Sequence, residues 1–132
     1  MRRSARHYLL AAGLLAVGLL AVGLVAGWAW RPLRRVEVTG DSMRPALAPG
    51  DRLLVLRDGR MRVGDMVAVA DPRTPARMLV KRVAACGPGG VTVLGDNAAA
   101  STDSRVLGPV APGSIRGRAV YRYFPESRRG RL

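Results

Sequence analysis

Residues that carry the commonest kinds of catalytic chemistry are scarce in this chain. Its 132 residues include one cysteine, Cys86, and one histidine, His7. A single cysteine excludes an internal disulfide, and one cysteine with one histidine excludes a Cys/His zinc cluster. His7 lies in the N-terminal arginine cluster, where no folded site could easily reach it, so a Ser-His-Asp triad or a Cys-His pair is effectively ruled out. No Gly-Lys-Ser/Thr sequence occurs, which excludes a P-loop.

Lysine is the scarcest of the basic residues. Of the 22 basic side chains, 21 are arginine, and only Lys81 is lysine. Arginine keeps its proton under physiological conditions, whereas lysine can lose its proton when it is removed from water. Lys81 is therefore the best candidate for a titratable base in the middle of the chain. A chance lysine at a strand edge is the alternative that composition alone leaves open.

Acidic residues are few, and the basic excess lies at the two ends of the chain. The net charge is +13, with six arginines and no acid in residues 1–35 and three more arginines in residues 128–132. Residues 36–127 carry 13 basic and 9 acidic side chains, a net charge of only +4. Basic tails at residues 1–7 and 128–132 suit a membrane surface better than a DNA groove. We expect a lipid bilayer as a partner and no nucleic acid.

One long apolar run stands near the N-terminus. Residues 8–30 form 23 positions without a charge, enough for a helix to cross a hydrocarbon core of about 30 Å. The run predicts a single-pass transmembrane anchor. A cleaved signal peptide is the alternative, because Gly27 and Ala29 would make a small-x-small site, but the run exceeds the usual apolar length of about 7 to 15 residues. Three arginines flank each side, so charge does not fix the orientation.

The rest of the chain is patterned for β-structure. Short apolar runs bounded by Gly, Pro, Asp and Asn predict strands at residues 52–56, 63–70, 78–84, 91–94 and 115–124. No stretch after the anchor keeps a helical spacing of apolar residues. The sequence predicts a mainly β fold, with an N-terminal transmembrane helix followed by one small β domain at residues 36–127.

Three segments carry candidate chemistry: residues 38–51, 79–90 and 93–110. Taken separately, their Gly-Asp-Ser and Gly-Asp-Asn triplets are also typical of turns. Together they read Gly-Asp-Ser-Met-Arg-Pro, then Lys-Arg about forty residues on, then Gly-Asp-Asn and Ser-Thr-Asp-Ser-Arg. This order and spacing resembles the type I signal peptidase family, which are membrane-anchored serine endopeptidases with a Ser/Lys dyad on a mostly β fold. The resemblance runs from the anchor to about Phe124.

The resemblance implies a role for each matching residue. Ser42 would be the nucleophile and Lys81 the general base, with Ser101 orienting the lysine. Asp103 and Arg105 match a pair that braces the site. Independently of the family, a serine hydroxyl needs a neighbour to take its proton, and a lysine can do so when apolar surroundings lower its pKa.

The turn around the nucleophile matches the family less completely. Met43 would follow the nucleophile, Pro45 would shape its turn, and the backbone N–H of Ser42 would provide one oxyanion donor. Gly40 stands where some members carry a hydroxyl that helps to hold the oxyanion, so the second donor is left open. Met43, Met78 and Leu79 are expected to line the substrate pockets. No metal or cofactor is expected.

The implied function is removal of signal peptides from exported preproteins at a bacterial plasma membrane, with the catalytic domain on the extracytoplasmic face. A dedicated maturation protease, such as one that removes the leader of nickel-containing superoxide dismutase, remains an alternative. A membrane-tethered β module that binds without catalysis is another. A self-cleaving repressor of the SOS type would need an N-terminal DNA-binding helix-turn-helix, but the apolar run of residues 8–30 stands in that place.

Overall fold

The chain divides into two compact units, Met1–Arg31 and Pro32–Leu132. A computed structural model describes residues 13, 15–25, 27, 33–57 and 59–132. In the first unit residues 15–25 are helical, and their leucine and valine side chains are 66% to 71% exposed. Among the described residues no helix is long and apolar enough to cross a membrane. The predicted tail at residues 1–7 and both ends of the predicted anchor lie outside the described residues.

The second unit is built on one antiparallel sheet. Its strands are β1 (Leu33–Glu37), β2 (Arg52–Leu56), β3 (Met66–Asp71), β4 (Thr74–Gly87), β5 (Gly90–Leu94), β6 (Ile115–Phe124) and β7 (Gly130–Arg131). Six of them lie side by side in the order β1, β2, β6, β3, β4, β5, and β7 pairs with β6. Within residues 33–57 and 59–132, helical structure is limited to short 3₁₀ turns and one α-helical turn at Ser104–Leu107. The mainly β prediction is confirmed.

Alternation along the strands buries side chains on both faces of the sheet. One cluster comprises Val38, Met43, Leu47, Leu53, Val55, Ala68, Val80 and Ala119. The other comprises Val67, Val69, Val83, Val91, Val93 and Val110. β3 supplies Ala68 to the first cluster and Val67 and Val69 to the second, because successive side chains of a strand point to opposite faces. A strand covered on both faces is buried almost throughout, as β3 is.

Predicted and observed strands agree best where the apolar pattern is short and bounded. β2 and β6 have the predicted bounds, 52–56 and 115–124. β3 begins three residues later than the run at 63–70, since Gly64 adopts a positive φ of 96° and donates its N–H to the carbonyl of Val83 at 2.8 Å. That turn takes residues 63–65 out of the ladder.

The sheet takes in residues on both sides of the predicted domain of residues 36–127. β1 pairs with β2 from Leu33 onward, and Gly130 and Arg131 pair with β6. The residues predicted as a basic C-terminal tail therefore contribute β7. Arginine-rich edge strands such as LRRVE show no alternation of apolar and polar residues, so only their long-range pairing reveals them.

The first half of β4 has an open edge. β4 is longer than the predicted run at 78–84 because it pairs with β3 over its first part and with β5 from Arg82 to Gly87. Within the described residues, the edge of residues 74–81 opposite β3 carries no strand partner. Such an edge presents free N–H and C=O groups to which another extended chain can add.

Candidate active site

Ser42 lies in the loop that joins β1 to β2. The base of this loop is closed by two backbone hydrogen bonds, from Val38 N–H to the Asp51 carbonyl at 2.9 Å and from Gly50 N–H to the Val38 carbonyl at 2.8 Å. Met43 and Leu47 anchor the loop in the core, at 1% and 0% exposure. Ser42 itself is half-buried, and within the described residues its hydroxyl has no hydrogen-bond partner.

A second segment, which follows β5, holds the backbone of Ser42. The N–H of Asn97 donates to the Ser42 carbonyl at 2.9 Å, and the Asn97 side-chain amide donates to the Asp41 carbonyl at 3.2 Å. Gly95 lies so close that a Cβ there would come within 2.6 Å of the Ser42 carbonyl oxygen and 2.2 Å of Ser101 Oγ. Only glycine fits at this position, between Ser42 of the first predicted segment and Ser101 of the third.

Lys81 lies on β4 opposite Val67 and is 3% exposed. Its Nζ donates to Ser101 Oγ at 3.0 Å, and the Ser101 hydroxyl donates in turn to Asp103 Oδ2 at 2.6 Å. The structure therefore brings Lys81, Ser101 and Asp103 together in one chain of hydrogen bonds. A buried polar chain of this kind fixes the orientation of each member.

Asp103 is the centre of this arrangement. Its carboxylate caps the helical turn at Ser104–Leu107 and accepts hydrogen bonds from the N–H of Gly95 at 2.8 Å and from the Arg105 guanidinium at 2.6 and 2.9 Å. The Arg105 hydrogen bonds, above all, hold the pKa of the Asp103 carboxyl well below its usual range. Asp103 therefore stays ionised, and Ser101 must be the donor in the bond between them.

Burial dominates the electrostatics of Lys81. Removal from water lowers the pKa of the Lys81 ammonium, and the positive charges of Arg105 and Arg77 act in the same direction. The Asp103 carboxylate opposes the decrease. The lowered pKa favours the neutral amine of Lys81, which is the form that a general base needs.

Ser42 and Lys81 line the same groove, which has a volume of about 230 Å³. One wall runs from Glu37 to Met43, and the other runs along the open edge of β4 from Arg77 to Lys81. The predicted pocket residues Met43, Met78 and Leu79 all line it. The groove thus places a free hydroxyl, a buried amine and an unpaired strand edge around one space.

The remaining predicted residues sit close to Ser42. Met43 is a core residue, and Pro45 follows a cis peptide bond after Arg44. Gly40 is exposed and lines the groove, with no atom within 4 Å of the position that a Cβ would take. No side-chain hydroxyl is available at Gly40, so the second oxyanion donor stays unassigned.

The sequence alone assigned no role to Gly95 and Asn97, although both belong to the Gly-Asp-Asn motif, and none to Asp51, Arg122 and Arg128. Behind the Ser42 loop, the buried carboxylate of Asp51 pairs with the partly exposed guanidinium groups of Arg122 and Arg128. In the described part of the chain no group of three or more His, Cys, Asp or Glu side chains could hold a metal ion.

The β domain thus carries a groove at an open strand edge, lined by Ser42 and Lys81, that could hold an extended peptide. The family described as signal peptidase, peptidase S26, matches residues 9–93 and 86–124. The chain belongs to this family, the type I signal peptidases, whose general activity is the removal of signal peptides.

Three curated proteins show the relationship at the level of sequence. A mitochondrial ATP-independent inner membrane protease subunit 1a of Arabidopsis thaliana is 37% identical over 122 residues, covering 72% of this chain and 73% of the relative. Mitochondrial inner membrane protease subunits 2 of Schizosaccharomyces pombe and Danio rerio are 32% and 30% identical over 120 and 121 residues, with 72% of this chain aligned in each case and 67% and 66% of the relatives.

Proposed function

We propose that the protein is a membrane-anchored serine endopeptidase that removes N-terminal signal peptides with Ser42 as nucleophile and Lys81 as general base. The observation that carries the proposal is that Lys81 is 3% exposed, donates from Nζ to Ser101 Oγ at 3.0 Å, and lines the same groove as Ser42. Neutral lysine has two N–H donors and one lone pair. Holding one N–H on Ser101 leaves the lone pair available for the proton of Ser42.

The reaction proceeds through an acyl-enzyme. Ser42 Oγ attacks the scissile carbonyl carbon while its proton passes to Lys81, and the resulting ammonium protonates the leaving amine as the peptide bond breaks. Lys81, neutral again, takes a proton from water, whose oxygen attacks the ester. Collapse of this second intermediate returns the proton from Lys81 to Ser42 and releases the signal peptide. The N–H of Ser42 supplies one donor to the oxyanion.

The substrate binds as an added strand. The groove lies between residues 37–43 and the β4 edge at residues 77–81, so an extended peptide can pair its backbone with β4 and present its carbonyl to Ser42. Apolar lining by Met78, Leu79 and Val38 suits the small side chains that the family prefers one and three positions before the cut.

Residues 8–30 anchor the domain in a membrane as a single helix, with the catalytic domain on the extracytoplasmic face. Exposed leucines and valines in the helix at residues 15–25 support the membrane anchor, because an apolar helix surface is stable in lipid. The bacterial plasma membrane expected from the sequence and the mitochondrial inner membrane named for the relatives are the two compartments to compare by fractionation.

The test is cleavage of a preprotein with an Ala-x-Ala site by the full chain in detergent. Ser42→Ala and Lys81→Met should each abolish cutting, and Ser114→Ala, a half-buried serine outside the groove, should cut at the parent rate. Cutting by Ser42→Ala would refute the assignment. If the parent cuts no general preprotein, a dedicated maturation protease or a non-catalytic module fits better.

A further inference from the structure

An ion-pair cluster lies directly behind the loop that carries Ser42. Asp51, whose side chain is 2% exposed, accepts from Arg122 Nη1 at Oδ2 and from Arg128 Nη1 at Oδ1, both at 3.2 Å. The same carboxylate accepts from the N–H of Ala48 at 3.0 Å. Removing a carboxylate from water costs free energy, which these three hydrogen-bonded partners offset.

The two guanidinium groups also hold the loop backbone. Arg122 Nη1 donates to the carbonyl of Ala46 at 3.0 Å, and Arg128 Nη2 donates to the same oxygen at 3.2 Å and to the carbonyl of Pro45 at 3.5 Å. Pro45 and Ala46 follow Ser42 by three and four residues. The carbonyl of Arg128 accepts from Arg122 Nε, which ties the two arginines together.

We infer that Asp51, Arg122 and Arg128 are positioning residues that set the place of Ser42 relative to Lys81 by fixing the loop at Pro45 and Ala46. The inference rests on the proposed function. None of the three lines the groove, so they act through the loop and not on the substrate.

The position of the Ser42 hydroxyl relative to Lys81 depends on how the loop is held. Lys81 is held by Ser101 on the β4 side of the site, whereas the Ser42 hydroxyl has no partner of its own in the described part of the chain. Its position depends on the backbone. Among the contacts that hold this backbone are the Asn97 N–H on the Ser42 carbonyl, the burial of Met43 in the core, and the arginine pair on Pro45 and Ala46. Loss of one of these contacts lets Ser42 move, and a displacement of about 1 Å can lower the rate of cleavage about 10²-fold.

The C-terminal segment at residues 126–131 therefore contributes to the active site through Arg128. Arg128 belongs to a 3₁₀ turn at Glu126–Arg128, and β7 begins two residues after Arg128 and pairs with β6 at Tyr121 and Arg122. Strand pairing therefore holds Arg128 where it reaches the loop. The neighbouring Arg129 points elsewhere, with a 49% exposed side chain bonded to Glu126 at 3.0 Å, and it provides a matched control.

The test compares Arg128→Ala, Arg128→Lys and Arg129→Ala in the full chain, with kcat, KM, the pH profile of kcat and the melting temperature measured for each. For Arg128→Ala we expect kcat to fall about 10- to 100-fold per folded molecule, with KM close to that of the parent. The midpoint of the pH profile should not move, because Arg128 does not touch Lys81.

Arg128→Lys keeps the test valid if Arg128→Ala fails to fold. Lysine keeps the charge facing Asp51 but lacks the planar fork that reaches two carbonyls and a carboxylate together, so we expect parental stability with reduced kcat. Parental kcat in a folded Arg128→Ala or Arg128→Lys protein would overturn the inference, as would an equal loss in Arg129→Ala. An inactive parent would instead refute the proposed function, since the comparison requires a parent that cuts.

Discussion

Lys81 Nζ lies 3.0 Å from Ser101 Oγ, and the same hydroxyl donates to Asp103 at 2.6 Å. Because the Ser101 proton points to Asp103, its oxygen is free to accept from Lys81. In the proposed chemistry this relationship restricts the lone pair of neutral Lys81 to two directions, because one N–H is held on Ser101. It also makes Ser101 the most informative residue to change after the dyad itself.

Removal of the Ser101 hydroxyl should lower kcat while leaving substrate binding intact. In Ser101→Ala, Lys81 keeps its burial but loses the acceptor that orients it, so we expect kcat to fall about 10- to 100-fold with a nearly unchanged KM. Steady-state kinetics on a fluorogenic signal-peptide substrate would measure this. Ser114→Ala is the control, and a parental kcat in Ser101→Ala would show that Lys81 needs no partner.

Cleavage should become faster from neutral to alkaline pH. Burial lowers the pKa of Lys81 below the ordinary lysine value of 10.5, and only the neutral amine can take the Ser42 proton. The rate should rise through that lowered pKa and level off before the ordinary value is reached. A flat profile between neutral and alkaline pH would contradict a lysine base.

Replacement of Lys81 by methionine should remove activity without loss of stability. Between the lowered pKa of folded Lys81 and the ordinary value, the unfolded chain binds more protons than the folded chain, so Lys81 makes stability rise with pH in that window. Lys81→Met lacks this penalty and should melt at or above the parent temperature at neutral pH. The difference should shrink as the pH rises, which thermal unfolding at several pH values would measure.

Addition of one methyl group at Gly95 should disrupt the whole site. A Cβ there would come within 2.2 Å of Ser101 Oγ and 2.6 Å of the Ser42 carbonyl oxygen, so both serines must move. We expect Gly95→Ala to lose about 10²-fold in kcat and about 1–3 kcal/mol of stability through overpacking. Gly113→Ala, which has no atom within 4 Å of the added Cβ, should match the parent in both measurements.

Local sequence patterns were enough to predict much of the domain. Alternation and bounded apolar runs gave the limits of β2 and β6, and the ordered motifs indicated the family and named Ser42, Lys81, Ser101, Asp103 and Arg105. Such signals are local in sequence, because the strand period and turn chemistry act over a few residues. The roles of Ser42 and Lys81 stay predictions, and so does the membrane anchor.

Patterns of this kind did not reveal which distant residues support the site. Arg128, assigned to a tail, reaches Asp51 across 77 positions of sequence, and Asn97 holds a carbonyl 55 positions earlier. Even the burial that lowers the pKa of Lys81 depends on strands packed around it. The sequence by itself determined the bounded apolar strands, such as β2 and β6, and the residues able to carry the chemistry. Only the tertiary structure decided the edge strands β1 and β7 and which residues meet, because contacts between distant residues leave no periodic trace in the chain.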